Sequence, residues 1–194
     1  MSALLGPIHY WLYNKILLQE ELTRDISLFA QEQGYIKEDR YTYADGRPLE
    51  ESIDSSNIHG WLQEHIHSAE RRYAQLVTDV ILAGGTVEQL KTVAFAFGKR
   101  HTFTEATIDA AYQFYSGSFV NGMPCDGVNQ LTDKSEDSIS WTETLDVHSE
   151  YWQNIGGNSD NYYELRSAVL DGMLDGTEFA FEETAPHSYR IYRK

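Results

Sequence analysis

Hydrophobic residues in the first half of the chain recur with the period of an α-helix, in two long runs. Each run falls on one side of a helical wheel at about 100° per residue. The first run predicts a helix over residues 3–33, closed by Gly34, with the stripe Leu4, Ile8, Trp11, Leu18, Leu22, Ile26 and Phe29. The second predicts a helix over residues 56–83, with the stripe Leu62, Ile66, Ala69, Tyr73, Leu76, Val77 and Val80.

Two shorter helices are predicted from capping boxes, in which a Thr and a Gln or Glu three residues later satisfy the first backbone N–H groups. Thr86-x-x-Gln89 opens a helix to about residue 99, and Thr102-x-x-Glu105 opens another to about residue 118. A polar connection over residues 35–55 joins the two long helices and contains Asp45-Gly46-Arg47-Pro48, a turn signal. It is longer than is usual between paired helices.

The pattern changes after residue 118. Residues 119–137 are rich in Gly, Asn and Asp, and from Ser138 hydrophobic residues alternate with polar ones, with Glu143 interrupting the alternation in phase. Alternation with period two predicts a strand, here with the inward positions Ile139, Trp141, Leu145 and Val147.

The last forty residues predict two helices and a hairpin. A short helix ends at Gly156-Gly157, a longer one runs from Ser159 or Asp160 to about Leu174, and residues 179–191 form a terminal hairpin. We therefore expect a mainly α fold, with a four-helix bundle over residues 1–118. A small C-terminal α+β element (strand, helix, terminal hairpin) over residues 119–194 packs on the bundle in one compact domain, because such short strands are marginal alone.

Charge and cysteine content narrow the classes of function. The net charge of −15 at pH 7 argues against nucleic acid as a partner and against anionic membrane surfaces, and leaves a basic protein partner open. Cys125 is the single cysteine, so neither an intrachain disulfide nor a thiolate metal cluster is expected. We see no leader and no apolar stretch long enough for a membrane span, and expect a cytoplasmic protein, with a homodimer left open.

A thirteen-residue pattern occurs twice, fifty residues apart. Ile8-His9-x-Trp11-Leu12-x-x-x-Ile16-x-x-x-Glu20 recurs as Ile58-His59-x-Trp61-Leu62-x-x-x-Ile66-x-x-x-Glu70. Eleven residues turn a helix through about three whole turns, so each copy places its His and Glu on one face, about 16 Å apart along the axis.

Antiparallel packing of the two long helices would set His9 against Glu70 and Glu20 against His59. A Glu beside a His fixes the imidazole tautomer and raises its basicity, which suits a general base, a metal site or a structural contact. The leading hypothesis is a bundle that encloses a small-molecule ligand or a divalent metal (Zn, Mn, Fe or Ni). His59 and Glu20, with help from His148, would perform metal-assisted or acid–base chemistry.

The second long helix, Ser56-Asn-Ile-His-Gly-Trp-Leu-Gln-Glu-His-Ile-His-Ser-Ala-Glu-Arg-Arg-Tyr73, resembles the second helix of DinB/YfiT-like proteins. Tyr13-Asn-Lys15 followed by Leu17-Leu18 resembles that family's first helix. The resemblance implies a four-helix bundle that binds a divalent metal through His side chains, with His65 as the ligand from the second helix. The family's late His-x-x-x-His pair has no match here, and His101 followed by Glu105 replaces it only in part. The candidate ligands are therefore His9, His59, His65, Glu20 and Glu70.

Two other functions stay open. Cys125, in a Gly/Pro-rich loop, and His148, after the predicted strand, would form the nucleophile and base of a thiol-dependent hydrolase or transferase if they meet. Alternatively, the protein is not an enzyme, and its acidic surface binds a basic partner.

Overall fold

The computed structural model describes residues 5–43 and 47–194. Within these residues the α-helices are α1 Pro7–Glu32, α2 Leu49–Ser52, α3 Ile58–Leu82, α4 Val87–Arg100, α5 Ile108–Ser118, α6 Ser149–Gln153 and α7 Asp160–Leu174. The β-strands are β1 Asn129–Lys134, β2 Ser138–Glu143, β3 Phe179–Ala185 and β4 Ser188–Arg193. The chain is therefore mainly helical, with a small C-terminal antiparallel sheet, and no helix in the described part is long and apolar enough to cross a membrane.

The two long helices predicted from the hydrophobic period and the two shorter ones predicted from capping boxes are confirmed, with one error at a helix start. Thr86 and Gln89 cap α4 as expected, but the box predicted at Thr102 is wrong. α5 begins instead after Thr107, whose side chain accepts a hydrogen bond from the backbone N–H of Ala110. Leu4 and the Asp45-Gly46 turn lie outside the described residues.

α1 and α3 run parallel, and the antiparallel register expected from the sequence is wrong. His9 contacts His59, Gln19 contacts Glu70, and Glu20 contacts Arg72, so the contacts join positions separated by a nearly constant number of residues. In parallel helices the residue numbers of contacting positions differ by a constant, whereas in antiparallel helices they add up to a constant. Residues 33–57 therefore carry the chain back from the end of α1 to the level at which α1 began.

The last long helix packs on the middle of the chain. Lys91 lies near Glu164 and Lys99 pairs with Asp175, so α4 and α7 are also parallel. Gly98 allows the closest approach: a Cβ atom there would lie 2.1 Å from the carbonyl oxygen of Val169. α1 and α4 run antiparallel, with Asp25 against Arg100.

The sheet has the strand order β1-β2-β4-β3, and every neighbouring pair is antiparallel. Its inner face is built from buried side chains that alternate along the two central strands: Ile139, Trp141, Tyr189 and Ile191. This face packs into the same core as α4, α5 and α7. β2 ends at Glu143, so Leu145 and Val147, predicted as strand positions, lie beyond it.

Candidate functional site

The two histidines that begin the repeated motif face each other. The Nε2 atoms of His9 and His59 lie 3.3 Å apart, near the N-termini of α1 and α3. The backbone N–H of Gly6 donates to His9 Nδ1 at 2.9 Å, so His9 caps its own helix and carries its hydrogen on Nε2. His9 therefore donates to His59, and neither residue meets the glutamate predicted for it.

The two glutamates that end the motif have other partners. Glu20 forms a two-pronged ion pair with Arg72, in which Nη1 lies 2.7 Å from Oε2. Glu70 is buried and accepts two hydrogen bonds, from Gln19 Nε2 at 3.1 Å and from His148 Nδ1 at 3.0 Å. The predicted pairs His9–Glu70 and Glu20–His59 are wrong because the helices are parallel.

His148 is a buried histidine with one ring nitrogen unpaired. Its ring stacks on Tyr162 with centroids 3.7 Å apart, and Nδ1 bonds to Glu70. Nε2 has no hydrogen-bond partner among the described residues. Cys125 is exposed in a short 3₁₀ turn, so the structure does not form the predicted Cys125–His148 nucleophile and base pair.

His65 belongs to a separate aromatic contact. Its ring stacks on Trp61 with centroids 3.5 Å apart, and its Nδ1 donates to the carbonyl oxygen of Trp61 at 2.8 Å. The edge of Tyr43 completes this contact. The candidate ligands from the motif and the resemblance are thus distributed over four separate contacts: His9 with His59, Glu20 with Arg72, Glu70 with His148, and His65 with Trp61.

The residues present do not fit the divalent metal implied by the resemblance. Two nitrogens bound to one tetrahedral zinc lie about 3.3 Å apart, which matches His9 and His59. A neutral imidazole that binds metal through Nε2 must carry its hydrogen on Nδ1, but His9 Nδ1 accepts one from Gly6. Within residues 5–43 and 47–194, no group of three or more His, Cys, Asp or Glu side chains is arranged to hold a metal ion.

A buried ion pair connects the sheet to α7. Arg166 donates from both terminal nitrogens to Glu143, at 2.6 and 3.3 Å, and both side chains are almost fully buried. Tyr115 and Asn121 also donate to Glu143. Burial alone would lower the pKa of Arg166, but its neighbours, Tyr115 and Glu143 first, raise the pKa above its ordinary value and keep the guanidinium charged. Glu143 is the residue that interrupts the strand pattern in phase, which places its carboxylate on the inner face.

Lys15 is the most unusual charged residue in the protein. Only 4% of it is exposed, although a buried lysine is normally paired with an acid. In the described part of the chain it has neither an ion pair nor a hydrogen bond, and its ammonium lies 4.0 Å from the centroid of the Trp11 ring. Lys15 lies inside the apolar stripe of α1, four residues after Trp11, and this position in the stripe is the sequence signal for its burial.

Lys15 lines a pocket of about 270 Å³ between α1, α5 and the loop before β1. We call it the Lys15 pocket; its wall includes Trp11, Lys15, Tyr112, Asn121, Met123 and Val128. Asn121 contributes a second unpaired polar atom. Its Nδ2 donates to Asn129 Oδ1 and to Glu143 Oε1, which fixes the orientation of the amide, and its buried Oδ1 has no partner among the described residues.

The electrostatics of the pocket follow from burial. Desolvation lowers the pKa of Lys15 to about 7, because an ammonium without a counter-charge is poorly accommodated away from water. A substantial fraction of Lys15 is therefore a neutral amine near neutral pH, and a neutral amine is both a base and a nucleophile.

A larger cleft of about 740 Å³ lies between α4, α7 and the β3–β4 turn. Its lining includes six carboxylates: Glu88, Asp146, Asp160, Glu164, Asp171 and Glu183. Lys91 and His187 are its basic residues, and Lys91 already pairs with Glu88 and Glu164. We call this surface the acidic cleft.

Comparison with protein-family models, with curated proteins and with solved structures found no match for this chain. The similarity to DinB/YfiT-like proteins therefore stays a prediction from the sequence. The geometry of the candidate sites is the basis for a proposal on function.

Proposed function

We propose that this protein binds a small, largely apolar organic molecule in the Lys15 pocket. The observation that carries the proposal is that Lys15 is buried against Trp11 and has no acidic partner within residues 5–43 and 47–194. Holding an unpaired lysine away from water costs folding free energy, because the charged form loses its hydration and gains no counter-ion. Perturbed ionisable groups of this kind concentrate at functional sites, where the cost is retained for what the group does.

The chemistry of the wall defines the class of ligand. Trp11, Met123 and Val128 offer apolar surface, while Lys15 and Asn121 are polar residues of the same lining. Ligand pockets are typically apolar with a few converging polar groups, and a volume of about 270 Å³ suits a compound smaller than a typical drug. This keeps the small-molecule part of the hypothesis from the sequence and moves the site from the repeated His and Glu to Lys15.

Tryptophan indole signals in ¹H–¹⁵N NMR spectra of the full chain provide the test. Trp11 lines the pocket, whereas Trp152 is fully buried against Tyr73, which is not part of the lining, so these two side chains report on separate places. Trp61 stacks on His65, and Trp141 packs against the lining residue Tyr112. A panel of small neutral alcohols, amides and aldehydes, including 4-hydroxybenzyl alcohol, should contain members that shift the Trp11 signal saturably. The signal of Trp152 should stay in place. If no member shifts Trp11, or if all four signals move together, the pocket is not a binding site.

The acidic cleft supports a second candidate function, the binding of a basic partner. Six carboxylates line it beside the aromatic side chains of Phe95, Tyr163 and Tyr189, a combination that suits a guanidinium or ammonium group. An arginine-rich peptide should bind with an affinity that falls as salt rises, because the attraction is screened. Glu164→Gln with Asp171→Asn should weaken that binding, while Glu136→Gln on the exposed β1–β2 turn should not. Equal effects of the two changes would reduce the cleft to general surface charge.

A further inference from the structure

We propose that the side chain of Lys15 forms an imine with a small aldehyde or ketone that enters the Lys15 pocket. This inference rests on the proposed function and names the class of its ligand. The geometry behind it is a buried amine that has no acidic partner among the described residues, on the wall of an open pocket whose lining also includes Asn121.

The reaction needs only the ligand and the lysine. The lone pair of Nζ attacks the carbonyl carbon, a C–N bond forms, and the π electrons of the carbonyl move to its oxygen. The two N–H hydrogens are then transferred to that oxygen, the C–O bond breaks, and water leaves a C=N bond behind. Nothing is oxidised or reduced, and Tyr112 and Ser116 line the pocket with hydroxyls that can relay the protons.

The neighbours of Lys15 favour both steps. Burial lowers the pKa of its ammonium to about 7, so the attacking neutral amine is available without a separate base. When the imine is protonated, its positive charge lies where the ammonium lies now, 4.0 Å from the centroid of the Trp11 ring. The face of an indole ring attracts a cation, so Trp11 stabilises the iminium.

Asn121 and the remaining wall limit the choice of carbonyl compound. The lining includes the uncharged polar residues Tyr112, Ser116 and Asn121, so a hydroxyl group on the ligand is favoured. Lys15 is the one cation among the described residues of the wall, and the reaction consumes its amine, so no other described side chain there favours a phosphate or carboxylate. The pocket therefore fits an uncharged hydroxy-aldehyde or hydroxy-ketone with an apolar body.

Reductive trapping tests the proposal directly. The full chain is incubated at pH 7 with 4-hydroxybenzaldehyde and sodium cyanoborohydride, which reduces an imine to a stable secondary amine. Peptide mass spectrometry then gives the labelling rate of each lysine. About half of the Lys15 side chains are neutral at pH 7, against about one in a few thousand at an ordinary lysine. We expect Lys15 to be labelled at least about tenfold faster than the exposed Lys37 and Lys99.

Two controls separate this inference from the proposed function. Lys15→Met should abolish the fast adduct and leave the slow labelling of Lys37 and Lys99 unchanged. The matched compound 4-hydroxybenzyl alcohol has no carbonyl group, and its binding is followed by the Trp11 indole signal. If the alcohol binds while Lys15 is labelled no faster than the exposed lysines, the imine is overturned and the pocket stands. If neither compound engages the pocket, both proposals fail.

Discussion

His9 donates a hydrogen bond from Nε2 to Nε2 of His59, across parallel helices that carry the same motif. The backbone N–H of Gly6 sets the direction of this bond, because it occupies Nδ1 of His9 and leaves the hydrogen on Nε2. His59 must then accept through Nε2 and carry its own hydrogen on Nδ1. One backbone hydrogen bond thus determines the tautomers of two histidines.

We expect long-range ¹H–¹⁵N NMR spectra at pH 8 to show the Nε2–H tautomer for His9 and the Nδ1–H tautomer for His59. Because His59 is exposed, His59→Ala should lower the free energy of unfolding by less than about 1 kcal/mol in a denaturant titration. A loss above about 2 kcal/mol would show that the pair has a larger structural role than its exposure indicates.

Zinc binding at the same pair should be weak. A metal on His9 Nε2 requires a hydrogen on Nδ1, so it must break the hydrogen bond from Gly6 that caps α1. We expect no zinc to remain after equilibrium dialysis of untagged protein at a low micromolar concentration of free metal. One zinc per chain, lost in the double variant His9→Ala/His59→Ala, would show that the helix cap opens to admit the ion.

Disrupting the buried pair of Glu143 and Arg166 should lower the free energy of unfolding more than disrupting a surface pair. Glu143→Gln leaves the guanidinium of Arg166 buried without its counter-charge, and we expect the free energy of unfolding to fall by about 3–5 kcal/mol. Adding Arg166→Met should recover part of that loss, because the stranded charge is removed. Glu182→Gln is the matched control. It disrupts a half-exposed pair with Arg190 at 3.7 Å and should cost less than about 1 kcal/mol. Equal losses at Glu143 and Glu182 would contradict this account.

Gly98 and Gly172 should tolerate no side chain. A Cβ on Gly172 would lie 2.2 Å from the carbonyl oxygen of Phe95, as close as the clash at Gly98, so α4 and α7 would have to separate. We expect Gly98→Ala to lower the melting temperature and to cost about 1–3 kcal/mol or more, the range for overpacked cores. In the control Gly117→Ala, the added Cβ meets Trp11 Nε1 at an ordinary 3.4 Å inside α5. That change should be neutral or stabilise by up to about 1 kcal/mol through helix propensity. Tolerance of Ala at residue 98 would contradict the close helix crossing.

Hydrophobic period identified the helices, but it did not give the direction in which they pack. The same residues line the same faces whether α1 and α3 run parallel or antiparallel. The repeated motif is therefore compatible with both packing directions. The discriminating signal was the connection over residues 33–57. It can span about 80 Å if extended, against about 39 Å for the 26 residues of α1, and so can return the chain for a parallel pair.

The features that the sequence does not predict are an exposed edge strand and two buried charged residues. β1 was not predicted because it is an edge strand exposed along nearly its whole length, and so it lacks an alternating pattern. Glu143 and Lys15 were in phase with apolar neighbours, yet both are buried. A charged residue in phase with an apolar stripe is therefore the sequence signal for both the buried ion pair and the candidate pocket. The sequence does not show the partner, which for Glu143 is Arg166 on α7 and which Lys15 lacks among the described residues.

Lys15→Met should raise stability at neutral pH and remove a specific pH dependence. Burial holds the pKa of Lys15 at about 7 in the folded protein, below the 10.5 of an exposed lysine. Below pH 7 the folded and the unfolded protein both hold the proton on Lys15, so the buried charge has its full destabilising effect on the fold. Between about pH 7 and 10 only the unfolded state keeps this proton, so the free energy of unfolding rises with pH, by at most about 1.4 kcal/mol per pH unit.

Denaturant titrations from pH 6 to 9 should show this rise in the wild type and a flatter profile in Lys15→Met. At pH 7 the free energy of unfolding of Lys15→Met should exceed that of the wild type by about 1 kcal/mol or more, because methionine keeps the apolar stem without the charge. Lys37→Met, at an exposed lysine, removes the same charge and should keep the wild-type profile. If Lys15→Met is destabilised at pH 7 and follows the wild-type slope, Lys15 is paired or hydrated in solution, and the unpaired amine on which the pocket depends does not exist.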